Sequence, residues 1–170
     1  MSNNSQTQKV VARIAAKIPA LQNATSEVDN AAAAALGVNL TDLHCLAILM
    51  RRDAAAAGLL AGELKLTRGA MTVALDRLAR AKLAERQSDP NDRRGVLVTA
   101  TANAKGRVQE IWSPIEREGI AILSGYSQGD LRVIEDFLDR AISLQTKHAK
   151  RIRGLRKTAS PRKVRASSRW

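Results

Sequence analysis

Between Leu60 and Thr99 the hydrophobic period of this chain switches from that of a helix to that of a strand, and the switch restricts the fold more than any other feature. Residues 57–64 read as a short helix with Leu60, Ala61 and Leu64 facing inward. Lys65-Leu66-Thr67 is a tight link, and Thr67 is a residue type suited to capping the helix that follows. In that second helix Met71, Ala74, Leu75 and Leu78 share one face. The opposite face carries Gly69, Val73, Asp76 and Arg80, flanked by Thr72 and Arg77. A short helix, a short turn and an amphipathic helix with a polar outer side make a helix-turn-helix. The period then changes to two. Residues 83–88 and 95–99 read as strands, separated by the turn cluster Asp89-Pro90-Asn91-Asp92 and the pair Arg93-Arg94. Two strands directly after a helix-turn-helix describe a wing.

Long helical segments flank this head. Residues 8–36 carry a loose apolar face of Val10, Val11, Ile14, Ile18, Leu21 and Val28, with Pro19 expected to bend or split the helix and Gly37 to end it. Thr41 is the expected cap of the next helix, whose face is Leu43, Leu46, Ala47 and Met50. After the wing, residues 102–124 present Val108, Ile111, Trp112 and Ile115, with a kink expected at Pro114. Ser127 and Asp130 form a capping arrangement before a last helix. Its seam is Leu131, Ile134, Leu138 and Ile142 or Ala141, and it is expected to run to about residue 150. The fold class is therefore mainly α (α+β): a winged helix-turn-helix head with long N- and C-terminal dimerisation helices. The expected segments are a flexible 1–7, N-terminal dimerisation helices at 8–39, the head at 40–101, C-terminal dimerisation helices at 102–150 and a disordered tail at 151–170. Dimerisation follows from the seams, which are too extensive to pack on so small a head.

Charge is unevenly placed. The net formal charge is +12, yet residues 151–170 hold eight Lys or Arg and no acid, while the other 150 residues are nearly balanced. The tail reads either as a phosphate-binding arm or as a solvated end that keeps the chain soluble. Aromatic residues are 2% of the chain, so the core must be aliphatic. No long apolar run or charged leader is visible, so no membrane span or signal peptide is expected. The single cysteine, Cys45, forbids an internal disulfide and fits a cytoplasmic protein. Neither metal nor other cofactor is expected, since His44 and Cys45 are helix neighbours pointing apart. The absence of a Ser-His-Asp set or glycine-rich phosphate loop argues against an enzyme.

The motif Ser88-Asp89-Pro90-Asn91-Asp92-Arg93-Arg94 resembles the wing loop of the MarR family of winged helix-turn-helix regulators. Residues 66–72 with Leu75-Asp76-Arg77-Leu78 resemble the recognition helix of one branch, as do Thr41-Asp42-Leu43, Tyr126-Ser127 and Phe137-Leu138. The chain departs from the family where glycines are usual, with Lys65 in the turn, Lys82 after the recognition helix and Ala104 after Thr101. If either lysine position requires a positive φ, the cost is roughly 1 kcal/mol relative to glycine. Ala56-Ala57 replaces a common threonine cap on the short helix.

On double-stranded DNA, the first turns of the helix at 68–80 would reach base edges in the major groove through Thr67, Arg68, Gly69, Thr72 and Val73. Arg68 suits a bidentate guanine contact, Thr72 and Val73 a thymine methyl, and Arg77 and Arg80 phosphates. The resemblance implies that a wing arginine enters the minor groove, Arg94 before Arg93, with Asp92, assisted by Asp76, holding a wing arginine in place. It also implies a repressor that binds a near-palindromic operator as a homodimer and is released by a small-molecule effector, often phenolic, or by thiol oxidation. Two alternatives stay open: a nonspecific or architectural DNA-binding protein driven by the basic tail, and a partner-binding module that uses its helices.

Overall fold

The structure, a computed structural model, describes residues 2–90 and 92–158, with side-chain surroundings given for 4–90 and 96–155. The chain divides into two compact units, Met1–Ile115 and Glu116–Trp170. It is mostly helical with one small antiparallel sheet, a winged-helix architecture.

The first unit is built on α1 (Ser2–Leu36), α2 (Leu40–Arg51), β1 (Ala55–Ala56), α3 (Ala57–Leu64), α4 (Arg68–Arg80), β2 (Ala84–Asp89), β3 (Asp92–Ala100) and the start of α5 (Ala102–Ser124). Helix α1 is one continuous element across Pro19, so the expected split does not occur. Proline removes one N–H and frees one carbonyl; this stretch of α1 is exposed, where water serves that carbonyl. Likewise α5 continues through Pro114. Only the last turns of α1 enter the core, through Ala32, Ala33 and Leu36. Gly37 ends the helix at φ 72, with Val38 N–H bonding back to Ala33 C=O at 2.9 Å.

Helix α2 begins earlier than expected. Asn39, not Thr41, is its cap, accepting from the Asp42 N–H at 2.9 Å. Buried Leu43, Cys45, Leu46, Ile48 and Leu49 surround most of its circumference, because α1, α3, α4 and the sheet all pack against it. Leu60, Met71, Leu78, Leu83 and Val98 complete the aliphatic core.

The sheet has the order β1-β3-β2. Strand β1, two residues long and not anticipated from the sequence, pairs Ala55 with Val98 and Ala56 with Leu97. It closes the free edge of β3 and leads directly into α3, which starts without a side-chain cap. Strand β2 pairs with β3 from Ala84↔Ala100 to Asp89↔Asp92, with a register irregularity at Ser88/Asp89. Ala104 is fully buried, and its N–H donates to Thr101 Oγ1 at 3.1 Å, so Thr101 caps α5.

The second unit holds the end of α5 and α6 (Gln128–Thr158). Ser127 Oγ accepts from the Asp130 N–H at 3.2 Å and lies 2.6 Å from Asp130 Oδ2, the expected capping arrangement. Helix α6 passes residue 150 and continues to Thr158, into the segment expected to be disordered. No proline interrupts residues 128–160, and basic residues near a helix C-terminus complement its negative dipole end. Leu138, Ile142, Leu144 and Ile152 of α6 are exposed.

Candidate nucleic-acid interface

Helix α4 is held by its apolar side. Met71, Ala74, Leu75 and Leu78 are each at most 3% exposed, while Thr67, Arg68, Gly69, Thr72, Val73 and Arg80 lie exposed on the other side. Thr67 caps the helix, its Oγ1 accepting from the Ala70 N–H at 3.2 Å. The Thr72 hydroxyl donates to the Arg68 carbonyl at 3.1 Å, so its hydrogen is engaged within the helix.

Both ends of α4 adjoin a left-handed lysine. Lys65 has φ 55 and ψ 41, and Lys82 has φ 56. Leu66 N–H returns to Ala61 C=O and Leu83 N–H to Leu78 C=O, both at 2.9 Å, the same closure that Gly37 makes after α1. Thr101 Oγ1 at 2.8 Å and Asn103 Nδ2 at 3.3 Å both donate to the Lys82 carbonyl, fixing the second turn. The lysines therefore stand where the backbone conformation favours glycine.

Arg77 does not project freely toward phosphate. Its Nε and Nη2 donate to Asp42 Oδ2 and Oδ1 at 2.7 and 2.6 Å. Asp42 is completely buried while the Arg77 side chain is 36% exposed. The hydrogen bond to Asp42 and the charge of that carboxylate hold the guanidinium more firmly in its charged form, outweighing desolvation. This two-point pairing fastens α4 to the first turn of α2 and fixes the direction in which α4 presents Arg68. Arg80 remains exposed, its Nε 3.3 Å from the Asp76 carbonyl. The Asp76 carboxylate accepts from Arg86 Nη2 at 2.7 Å, tying α4 to strand β2. Asp76 thus holds Arg86, an arginine on a strand of the wing. The expectations for Asp92, Arg93 and Arg94 fall on side chains outside the described residues. Sequence reasoning missed Asp42, Arg86 and Asn39; only Asn39 carried a local signal, as a capping residue type two positions before Thr41.

A separate cavity of about 250 Å³ lies in the first unit, lined by Asp29 of α1, by Leu43, His44, Leu46, Ala47 and Met50 of α2, and by Val108 and Trp112 of α5. Cys45 is on the same helix but buried, and burial, with the Asp42 charge adding to it, pushes its thiol up to about 11. Among the described residues no cluster of His, Cys, Asp or Glu could hold a metal ion, and no single helix is long and apolar enough to cross a membrane.

Residues 38–96 match the sequence profile of the MarR family. A protein of Bacillus subtilis (strain 168) described as an uncharacterized HTH-type transcriptional regulator, YcgE, is 30% identical over 123 residues, covering 72% of this chain and 80% of that protein. Among solved structures, a mutant MepR of S. aureus bound to an oligodeoxyribonucleotide superposes with a TM-score of 0.55 at 18% identity, covering 78% of this chain and 97% of that one. RV1404 of Mycobacterium tuberculosis gives 0.58 at 20% identity, covering 82% and 94%. At such identities the structural likeness speaks to the fold.

Proposed function

This chain belongs to the MarR family of transcriptional regulators, and from that premise we propose that it is a sequence-specific repressor that binds a near-palindromic operator as a homodimer and is released by a small-molecule effector. The observation that carries the reading is the uncovered outer side of α4, with Thr67, Arg68, Gly69, Thr72 and Val73 exposed in front of a fully packed apolar side. Arg68 reads guanine, Thr72 and Val73 offer methyl groups to thymine, and Gly69 lets the backbone approach closely. Arg80 serves phosphates, and Arg77 acts through Asp42 to hold the helix at its angle. Arg94, with Arg93, is assigned to the minor groove, where a guanidinium is favoured by shape. Asp92 remains assigned to orienting the wing, in parallel with the Asp76–Arg86 tie. The likeness to a relative recorded on an oligodeoxyribonucleotide supports this reading.

The dimer would bury the apolar residues left exposed in the single chain, among them Val11, Ile14 and Leu21 of α1 and Leu138 and Ile142 of α6. Two heads would then address half-sites about 34 Å apart. The cavity beside Trp112 is the effector site, of a size for one aromatic ring system; a phenolic ligand would quench Trp112 fluorescence as it weakens DNA binding. A free, buried Cys45 accords with a cytoplasmic protein and against thiol oxidation as the trigger.

Selection of bound duplexes from a random pool tests the reading. The expected result is a palindromic consensus, with Arg68→Ala losing about 1–3 kcal/mol and relaxing one position per half-site. Absence of any consensus would favour the nonspecific alternative driven by the basic tail.

A further inference from the structure

Charge along α6 is segregated. From Gln128 to Asp139 the acids Asp130, Glu135, Asp136 and Asp139 face a single arginine, Arg132. From Arg140 to Thr158 there are seven Lys or Arg and no acid. Four arginines lie against close carboxylates, in the pairs Arg52–Glu63, Arg77–Asp42, Arg86–Asp76 and Arg140–Asp136. Beyond Arg140 no acid is available along the helix to do this. One side-chain contact there joins two basic residue types, Arg151 Nε donating to His148 Nδ1 at 3.2 Å. Lys147, Lys150, Arg151 and Arg153 are all exposed. Helical spacing puts Lys147, Lys150 and Arg151 on one side, with Arg153 at its margin.

We propose that the C-terminal end of α6, with Lys147, Lys150, Arg151 and Arg153 at its centre, is a second DNA-binding surface that engages duplex phosphates without reading sequence. The proposal rests on the reading of the head as a duplex-DNA binder and adds to it a contact that the recognition helix does not supply. Four positive charges held along about two turns of helix cannot relieve their repulsion internally, and each gains by displacing a counterion from a polyanion. The twelve residues that follow continue the composition, with Arg162, Lys163, Arg165 and Arg169 and no acid. A membrane surface fits less well. From Lys150 to Thr158 the only aliphatic side chains are Ile152 and Leu155, too little apolar area for an interfacial helix.

The test is the salt dependence of binding by the full chain, from about 50 to about 200 mM, on a random-sequence duplex and on a duplex taken from the pool selection. In the variant with Lys147, Lys150, Arg151 and Arg153 all changed to Gln, the slope of log K against log salt should fall by about 2 to 3.6, since each phosphate contact contributes roughly 0.9. The fall should be equal on both duplexes, leaving the ratio of their affinities unchanged. The milder pair Lys150→Gln and Arg153→Gln should give about half of it, and glutamine keeps the helix, checked by circular dichroism. A fall below about 1 in the fourfold variant overturns the proposal, as does a changed affinity ratio, which would make this end a base reader. So does an unchanged DNA slope with lost binding to phosphatidylserine-containing vesicles. Failure of the head's reading is distinct: the pool then yields no consensus and Arg68→Ala changes no preference, while the slope still reports on α6.

Discussion

Replacing Lys65 and Lys82 by glycine should stabilise this protein, against the usual expectation that glycine weakens a fold. Both residues sit in the left-handed region, at φ 55 and φ 56. Neither can relax, because the closing bonds to Ala61 and Leu78 and the two donors on the Lys82 carbonyl require that conformation. An L-residue there costs about 1–2 kcal/mol. Glycine's extra freedom in the unfolded chain returns about 0.4–1 kcal/mol of that. The net gain is roughly 0.5–1 kcal/mol per site, or about 1–2 kcal/mol for the double variant if the sites are independent. For a chain of this size that corresponds to a rise in Tm of about 4 °C, measured at fixed protein concentration because assembly couples to stability. Lys65→Ala and Lys82→Ala remove the charge but keep the Cβ in the strained region, so they should leave Tm nearly unchanged. Glycine variants that melt at or below the parent would refute the argument, as would alanine variants that stabilise equally, because the gain would then come from charge.

The Asp42–Arg77 pair predicts an asymmetry: Arg77→Ala strands the buried Asp42 carboxylate at about 3 kcal/mol, whereas Asp42→Ala releases a partly exposed guanidinium to water and should cost less in urea unfolding. Cys45 predicts alkaline loss of stability. Below about pH 9 its thiol is neutral in both states; between about 9 and 11 the unfolded chain releases the proton while the folded chain keeps it. Stability should therefore fall by roughly 2–3 kcal/mol over that window, a slope that Cys45→Ala abolishes, and native Cys45 should resist alkylation at neutral pH. Thr67→Ala removes the cap of α4 and should cost about 1 kcal/mol, together with a loss of DNA affinity from fraying of the turn that carries Arg68.

The helix-turn-helix and the wing were legible in the residues alone, because both are local. Met71, Ala74, Leu75 and Leu78 impose a helical period on α4 whatever surrounds them, and the Asp89–Asp92 cluster marks a turn between two strands. Lys65 and Lys82 stood out only against the family resemblance, which puts glycine at both positions; their left-handed backbone is a finding of the structure. What required the tertiary structure was every feature joining distant parts of the chain. Asp42 and Arg77 meet across thirty-five positions, Arg86 finds Asp76 only once β2 lies beside α4, and β1 is a strand only because β3 offers it an edge. The choice of Asn39 over Thr41 as cap, and the burial of half of α2, depend in the same way on what packs around them. A side chain's type limits which partners it can take, but only the packed fold brings one partner within hydrogen-bonding distance and removes the water that would otherwise compete for it.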